Sequence, residues 1–211
     1  MPVELSMEAS RAWNMRYLLE LGENRPELLL FYGHRVTKAV TETCLSQWYP
    51  CQFEADGVTY TSAEQYMMAE KARLFGDEEI RAEILNTSDP RKCKALGRKV
   101  RNFDKAVWNK EKEHIVRKGN TKKFLQNSAL RSFLLSTGDK VLVEASPTDR
   151  VWGIGLGKNN PDALDPQKWR GQNLLGFALM NVRDFLAFMD SFGEFDEETE
   201  EYPEPAGQGK G

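Results

Sequence analysis

The segment Thr61–Phe75, which reads TSAEQYMMAEKARLF, carries the clearest helical pattern in the chain. Its first residues have hydroxyl side chains, which cap helices because their oxygen accepts a hydrogen bond from a free N–H group of the first turn. At 100° per residue, Glu64, Met68 and Lys71 fall on one stripe of the helix that follows. The pattern therefore predicts a helix over residues 63–75, with a carboxylate and an amine on a largely apolar face.

Glu64 and Lys71 are candidate catalytic residues, because charges on the core-facing side of a helix are costly unless they are paired or used. Burial also lowers the pKa of a lysine, which makes its amine a nucleophile for an electrophilic carbon such as a sugar C1. The alternative is that both side chains extend to the edge of the face as ordinary helix charges.

The elements on both sides of this helix indicate a mainly helical α+β domain with a few short strands. The dipeptide Asp56-Gly57 favours a hairpin turn within the aromatic segment 45–60. Asp89 followed by a proline favours the start of a helix, since aspartate caps well and proline suits the first turn. The other predicted helices cover residues 77–85, 90–100, 104–118, 120–137 and 171–188, and the predicted strands cover 28–32 and 140–145.

The loop that follows the last predicted strand carries two carboxylates, a tryptophan and alternating glycines, in the run Glu144–Gly157. Glycines let backbone N–H groups approach a ligand closely, and the face of Trp152 can stack on a base or cover a sugar. This GxGxG pattern is not a dinucleotide fingerprint, because the third glycine comes one residue too early and no helix start follows it. The alternative is a glycine-rich turn around a core tryptophan.

Amide side chains stand at the start of the last predicted helix, in the run GQNLLG at residues 171–176. Free N–H groups at a helix N-terminus bind phosphate or carboxylate, so Asn173 is a candidate phosphate ligand, with simple helix capping as the alternative. Trp48 and Trp108 lie among polar or basic residues and are candidate stacking walls for a flat base. Arg98 is a candidate phosphate ligand.

The charge of the chain is divided between a basic middle and an acidic C-terminal end. Residues 193–211 hold seven acids and one base, and without them the net charge changes from −3 to +3. Between Arg91 and Lys123, thirteen Lys or Arg residues stand against three acids. This favours a phosphate-bearing partner, with solvated helix faces as the alternative. We expect an N-terminal extension over 1–25, a folded domain over 26–192 and a disordered acidic tail from 193 onward.

The composition limits the classes of protein and of site. Apolar residues make up 40% of the chain and charged residues 29%, which are ordinary globular values. No signal peptide or membrane helix is visible in the sequence, and three cysteines without a CxxC pair favour free thiols in a reducing compartment. With only two histidines, a metal site or a Ser–His–Asp triad is not expected. We therefore expect a cytoplasmic protein, with a nuclear location left open, that uses no metal or cofactor, does not associate with a membrane and has no obligate protein partner.

Seven runs of sequence follow one another between Leu45 and about Leu186: SQWYPCQF, SAEQYMMAEKA, LGRKV, FDKAVWNKE, KFLQN, LVEASPTDRVWGIGL and GQNLLGFALMNVR. In this order they resemble the NADAR family, also called the YbiA-like N-glycosidases. The combination is specific, although each run alone is weak. The first run departs from many members of the family, which read S-N-F where this chain has Ser46-Gln47-Trp48.

The resemblance implies roles for particular positions. The glutamate of the family's SAEQ motif is Glu64, the lysine of its EKA motif is Lys71 and the acid of its PxD motif is Asp149. These three are the expected catalytic residues. The expected substrate-binding residues, from the resemblance and the patterns above together, are Gln47, Trp48, Arg98, Trp108, Trp152, Gly153, Gly155 and Asn173.

The resemblance also implies a reaction, because members of the family hydrolyse N-glycosidic bonds. They have been linked to removing ADP-ribose from guanine in nucleic acid and to hydrolysing ribosylaminopyrimidine phosphates of riboflavin synthesis. We expect an N-glycosyl hydrolase that acts on ADP-ribosylated guanine in nucleic acid, with a small phosphorylated ribosyl compound as the alternative substrate. A module that binds ADP-ribose without turning it over is the alternative class. In the reaction, either Glu64 or Asp149 activates a water, or Lys71 captures the ring-opened sugar as a Schiff base.

Overall fold

The computed structural model describes residues 12–192, and helices dominate this part of the chain. The strands are short, which confirms the predicted α+β class with a mainly helical domain. The described helices and strands, in chain order, are α1 (Met15–Leu21), β1 (Leu28–Phe31), β2 (Phe53–Ala55), β3 (Val58–Tyr60), α2 (Ala63–Leu74), α3 (Glu78–Leu85), α4 (Pro90–Gly97), α5 (Lys105–Gln126), α6 (Ser128–Ser136), β4 (Val141–Glu144) and α7 (Leu174–Phe192).

Helix α2 is the central element, and it packs against α3, α4 and α5. As predicted from the sequence, it begins after Ser62, whose hydroxyl oxygen accepts the N–H group of Gln65 at 3.1 Å. The side chain of Gln65 is buried and donates to the carbonyl groups of Ile84 at 3.1 Å and Thr87 at 2.9 Å. These bonds join the start of α2 to the end of α3, so the position of the first turn of α2 is fixed by the core.

Strands β1 and β4 form a two-stranded parallel sheet in which Leu28 pairs with Val141 and Phe31 with Glu144. Both strands therefore end at the same edge of the sheet. Helix α7 packs on β4. Just before α7, the buried side chain of Asn173 donates to the carbonyl of Leu142 and accepts the N–H group of Glu144, which ties the start of the helix to the strand. The loops that leave the carboxyl ends of β1 and β4 start side by side.

The predicted hairpin is present, although it is shorter than the segment 45–60 from which it was predicted. Strands β2 and β3 pair in antiparallel fashion around Asp56 and Gly57. Both turn residues have positive φ, 52° and 75°, as a tight two-residue hairpin turn requires. The earlier part of the segment contains the end of a 3-10 turn, Glu42–Leu45, and an irregular loop.

The sequence prediction of two helices over 104–118 and 120–137 is wrong about where the first one ends. Helix α5 continues through Gly119 to Gln126, and the break comes at Asn127. Gly119 is buried against the ring of Tyr66, where an added Cβ atom would lie 2.4 Å from Cδ1. The glycine therefore permits close packing of α5 on α2 and does not stop the helix.

The N-terminal helix packs on the domain through a few side chains. Leu18 is 1% exposed and belongs to the hydrophobic core. The indole N–H group of Trp13 donates to Asp184 at 2.9 Å, and its backbone N–H group donates to Asn181 at the same distance. Residues 1–11 and the predicted acidic tail, 193–211, lie outside the described residues.

Two further findings concern the described part of the chain. Cys44, Cys51 and Cys93 are free thiols, as the sequence predicts. None of the helices between residues 12 and 192 combines the length and the apolar character needed to cross a membrane.

Candidate active site

A cavity of about 450 Å³ lies where β1 and β4 end, which is where ligands bind in many proteins with parallel strands. Its volume is in the range of small-molecule sites. Other depressions lie between α5 and α7 and beside α1, but no buried carboxyl group lines them. The cavity is lined by residues that follow β1 (Tyr32, Gly33, His34), by Ser46 and Trp48, by Lys94 and Arg98 of α4, and by Glu144, Ser146, Thr148 and Asp149.

Two carboxyl groups are shielded from water here: Glu144, a partly buried residue of the lining, and Glu64, which lies next to the lining residues Trp48, Lys94 and Asp149. Glu64, in the first turn of α2, is 2% exposed, and burial raises its pKa to about 7 against the opposing effects of Lys94 and a side-chain hydrogen bond from Trp48. Burial, followed by repulsion from Asp149, raises the pKa of Glu144 to about 8. Within the described part of the chain, each of the two has one buried carboxyl oxygen without a hydrogen-bond partner, Oε1 of Glu64 and Oε2 of Glu144.

Asp149, the third carboxyl group, is held by its own loop. Its Oδ1 atom accepts the backbone N–H groups of Val151 at 2.9 Å and Trp152 at 2.8 Å. Its Oδ2 atom lies 3.8 Å from the ammonium group of Lys94. The carboxylate is thus oriented by two backbone donors on one side and faces a cation of the cavity on the other.

Cations and aromatic rings complete the lining of the cavity. Lys94 and Arg98 are four residues apart on α4 and its C-cap, so both side chains point to the same side. The rings of Trp48 and His34 lie 5.5 Å apart, and the Lys94 ammonium lies 5.9 Å from the Trp48 ring centroid. Tyr32 is 50% exposed at the same cavity. This combination suits a ligand that has a phosphate group and a flat base.

Of the predicted site residues, the structure brings together Glu64, Asp149, Trp48 and Arg98. Gln47 stands next to this group but has a structural position, since it is 6% exposed and its side-chain oxygen accepts from the amide of Asn120 at 2.9 Å. Its carbonyl oxygen accepts the N–H group of Glu64 at 2.9 Å. In this structure Gln47 thus supports the start of α2, and its expected ligand contact stays a prediction.

Lys71 is not part of the cavity lining, contrary to the expectation that it faces the same pocket as Glu64. Its ammonium group donates to the carbonyl of Gly97 at 2.7 Å and lies 4.3 Å from the centroid of the Phe103 ring. Trp108, an expected substrate-binding residue, is partly buried next to Lys71, with its ring centroid 5.6 Å from the ammonium group. Burial lowers the pKa of Lys71, but its amine is engaged in the hydrogen bond to the carbonyl of Gly97 at the C-terminal end of α4.

The expected phosphate ligands after β4 also have structural positions. Asn173 is fully buried, and its amide donates to Leu142 and accepts from Glu144, both at 2.9 Å. The N–H groups of residues 172–175 donate to the carbonyl groups of residues 150–153, so these donors at the start of α7 are not free for an anion.

The tryptophan and the glycines of the loop pack against the interior instead of lining the cavity. An added Cβ atom at Gly153 would lie 2.8 Å from the carbonyl oxygen of Glu144. Gly155 is buried and has a φ of 68°, a conformation that favours glycine. Trp152 is partly buried against the core. The alternative interpretation of the GxGxG run, a glycine-rich turn with a core tryptophan, describes this loop.

Sequence reasoning missed the cavity residues Glu144, Lys94, Tyr32 and His34. A signal existed for two of them. Glu144 lies at the C-terminal end of the predicted strand 140–145, where side chains reach the edge of a parallel sheet, and it is the last residue of β4. Lys94 precedes the candidate Arg98 by four residues on a predicted helix, which places them on one face. Tyr32 and His34 follow β1 in an irregular segment that carries no pattern.

Comparison with known proteins places this site in a family. The NADAR domain model matches residues 30–187, well over half of the chain and all of the cavity lining. The chain belongs to the NADAR family. An N-glycosidase of Acanthamoeba polyphaga mimivirus is 48% identical over 161 residues, which cover 74% of this chain and 94% of that protein.

Other NADAR relatives are more distant. The N-glycosidase YbiA of Escherichia coli K12 is 34% identical over 134 residues, covering 64% of this chain and 75% of YbiA. Protein irg-1 of Caenorhabditis elegans is 38% identical, covering 67% of this chain and 74% of that protein. The NMR structure of Escherichia coli YbiA matches this fold with a TM-score of 0.65 at 28% identity, covering 83% of this chain and 93% of that one. The predicted family is therefore confirmed.

Proposed function

We propose that this NADAR protein removes ADP-ribose from guanine bases of nucleic acid by hydrolysing the N-glycosidic bond. The observation that carries the proposal is the carboxyl cluster of Glu64, Glu144 and Asp149, set beside Lys94 at one cavity. A site that only binds ADP-ribose does not require several carboxyl groups, one fully buried and two partly buried, because they repel the phosphates of the ligand. Cleavage at a sugar C1 does use such groups.

The enzyme class is the best supported part of the proposal. Relatives from a giant virus and from bacteria carry the name N-glycosidase, and the viral one is matched over 94% of its length. The expected class of an N-glycosyl hydrolase is confirmed by these relatives. For the leaving base we propose guanine, and for the sugar that is released we propose ADP-ribose.

The carboxyl groups support a hydrolytic mechanism in which positive charge develops at C1 of the ribose. As the bond to the base breaks, the sugar becomes oxocarbenium-like, and a carboxylate beside C1 stabilises it. Asp149 is suited to activate the attacking water, because two backbone N–H groups orient its carboxylate. Glu64 accepts a side-chain hydrogen bond from Trp48 and interacts with Lys94 and Arg98, so it is suited to be the second carboxyl group beside the sugar.

An amine offers a second route, in which a lysine adds to C1 of the ring-opened sugar as a Schiff base that water later hydrolyses. The sequence predicts Lys71 for this role. The structure favours Lys94, since this amine lines the cavity and lies 3.8 Å from a carboxylate oxygen of Asp149. That carboxylate is in position to accept and return the proton of the amine.

The cations support a nucleic-acid substrate. Lys94 and Arg98 belong to the basic stretch 91–123 and provide phosphate ligands inside the cavity. Lys92 and Lys99 stand on or next to the same helix and are exposed outside it. Exposed cations beside a site that holds one phosphorylated group are suited to the further phosphates of a strand.

The second candidate substrate is a ribosylaminopyrimidine phosphate. The observation in its favour is the volume of the cavity, about 450 Å³, which suits a small ribosyl phosphate. It needs the same carboxyl groups and cations, so the two substrates share one catalytic site and differ in the group that leaves.

The test is a turnover assay with an oligonucleotide that carries ADP-ribosylated guanine and, in parallel, with the ribosylaminopyrimidine phosphate. We expect wild-type protein to release free ADP-ribose from the oligonucleotide and to act more slowly on the small compound. Glu64→Gln is expected to lower kcat/KM by about 100-fold, because the variant cannot supply a charged carboxylate beside C1.

Glu70→Gln is the matched control, because Glu70 lies on the same helix and is 4% exposed but pairs with Arg73 at 2.9 Å, away from the cavity. It should keep wild-type turnover. Binding of ADP-ribose without release from either substrate would contradict the proposal and favour a binding module. Faster release of the pyrimidine would replace the substrate but not the reaction.

A further inference from the structure

Glu144 is fixed in the cavity by the backbone on each side of it. It is the last residue of β4 and pairs with Phe31 across the parallel sheet. Its N–H group donates to Asn173 at 2.9 Å, and its carbonyl oxygen accepts the N–H groups of Ser146 at 2.9 Å and Ile154 at 3.0 Å. The carboxyl group therefore has a defined position at the end of the sheet, although no family motif used above assigns it a role.

The carboxyl group itself has no hydrogen-bond partner among residues 12–192. Its Oε2 atom is buried and makes no hydrogen bond within the described part of the chain, and Glu144 itself lines the cavity. Most buried polar atoms are hydrogen-bonded, so a buried atom without a partner at a cavity indicates that a bound ligand supplies the missing hydrogen bond. Oε1 of Glu64 also has no partner among the described residues, but the Glu64 carboxyl group receives a side-chain hydrogen bond from Trp48, which favours its charged form.

Burial, together with the neighbouring carboxyl groups, favours the protonated form of Glu144. Burial is the largest effect, repulsion from Asp149 and Glu64 adds to it, and Lys94 opposes it, which together raise the pKa of Glu144 to about 8. Carboxyl groups that interact in this way titrate as a set, and the one with the weakest donors holds the proton longest. The titratable and charged groups that face Glu144 come from four elements: Tyr32 and His34 after β1, Glu64 on α2, Lys94 and Arg98 on α4, and Asp149 in the loop after β4.

We propose that Glu144 is a further catalytic residue, the general acid that protonates the departing base. This inference rests on the N-glycosidase function proposed above. As the bond between C1 and the base nitrogen breaks, its electron pair stays on that nitrogen, which takes the proton of the Glu144 carboxyl group. The oxygen of a water bonds to C1 while one of its protons passes to Asp149. Solvent then returns this proton from Asp149 to Glu144, which restores both groups.

The environments of the carboxyl groups separate these two tasks. Asp149 accepts two backbone N–H bonds and faces Lys94, which suits the charged form that a base needs. Glu144 has no protein donor and two acidic neighbours, which suits the neutral form that an acid needs. A purine or pyrimidine anion is a poor leaving group, so its protonation contributes substantially to the rate.

The experiment compares leaving groups in wild type and Glu144→Gln. One substrate carries the base and the other a nitrophenyl group on the same phosphorylated ribose, since nitrophenolate departs without a proton. We expect Glu144→Gln to lower kcat/KM by about 100-fold or more for the base and by less than about 3-fold for nitrophenol. Asp149→Asn is the control, because loss of the general base should slow both substrates alike.

The pH profile provides the second readout. Wild-type kcat/KM for the base should fall as pH rises past about 8, as expected for an acid that must be protonated, and Glu144→Gln should lack this fall. Glu144→Asp keeps a carboxyl group and should retain the fall in kcat/KM at high pH. This conservative variant shows whether a loss in Glu144→Gln comes from the missing acid or from poor folding. Equal losses on both leaving groups, or full activity of Glu144→Gln on the base, would overturn the role of Glu144. Failure of wild type to release any base would instead remove the proposed function.

Discussion

At the scale of single residues, Glu64, which is buried, and Glu144, which is partly buried, tie stability to pH. The pKa values of Glu64 and Glu144 are raised from an ordinary 4.5 to about 7 and about 8. Between pH 4.5 and pH 8, the unfolded chain releases these protons while the folded protein holds them. The folded state then binds more protons, so the free energy of unfolding falls as pH rises through this window.

Glu144→Gln should make this fall smaller, because one of the two groups no longer titrates. Urea unfolding at pH 5 and pH 8 measures the difference, and we expect the loss of unfolding free energy in wild type to exceed that in the variant by roughly 1 to 3 kcal/mol. Glu83→Gln, an exposed change on α3, is the control and should leave the wild-type loss unaltered. A loss that is the same in all three proteins would show that Glu144 is ionised throughout the window.

The lysine of the amine route is the second prediction at this scale. If a Schiff base forms, reduction with borohydride in the presence of substrate should leave the sugar attached to Lys94, because this amine lines the cavity. Peptide mapping identifies the labelled residue, and Lys94→Met should abolish the label. A label on Lys71 would mean that its bond to the carbonyl of Gly97 opens when substrate binds.

Glu64 and Asp149 could be predicted from the sequence, whereas the position of Lys71 could not. Two residues seven positions apart share a stripe, but they are separated by about 10 Å along the helix. The C-terminal end of α4 comes between α2 and solvent at the second of these turns, where Gly97 accepts from Lys71. Which turn of a stripe reaches a cavity depends on how neighbouring helices cross it, and periodicity contains no information on that crossing.

At the scale of elements, the contact between α2 and α5 depends on Gly119. In an isolated helix, Gly→Ala stabilises by about 1 kcal/mol. Here the added Cβ atom would lie 2.4 Å from Cδ1 of Tyr66, whose ring is 1% exposed and has no room to move. The clash outweighs the gain in helix propensity, so we expect Gly119→Ala to lower the free energy of unfolding by about 1–3 kcal/mol.

Thermal and urea unfolding of Gly119→Ala, with Lys110→Ala as the control, measure this effect. Lys110 is exposed on the same helix, so alanine there should change stability little. Stabilisation by Gly119→Ala would show that the two helices separate easily. The same contact explains why the predicted helix end near Gly119 is wrong. Glycine often stops a helix, but it also occurs inside a helix where a neighbouring ring packs closely, and the sequence does not distinguish the two roles.

At the scale of the whole molecule, the fold class and most helices could be predicted, but the assembly of the site could not. The N-caps Ser62 and Asp89 are local and were sufficient to place the starts of α2 and α4. The pairing of β1 with β4 joins residues more than a hundred positions apart. This pairing brings Tyr32 and His34 next to Glu144, and no local pattern indicates it.

The family match begins at residue 30, but the core extends beyond it to α1. Leu18 is 1% exposed within this core, whereas its neighbour Leu19 is 43% exposed. Both are helical leucines, so alanine at either position has a similar effect on helix propensity and the two changes differ in burial alone. We expect Leu18→Ala to lower the free energy of unfolding by about 2–5 kcal/mol and Leu19→Ala by less than about 1 kcal/mol. Urea unfolding of the full chain measures both. Equal small losses would show that α1 is an appendage and that the domain folds without it, as the predicted boundary at residue 26 implies; the expected difference would make α1 a part of the folding unit.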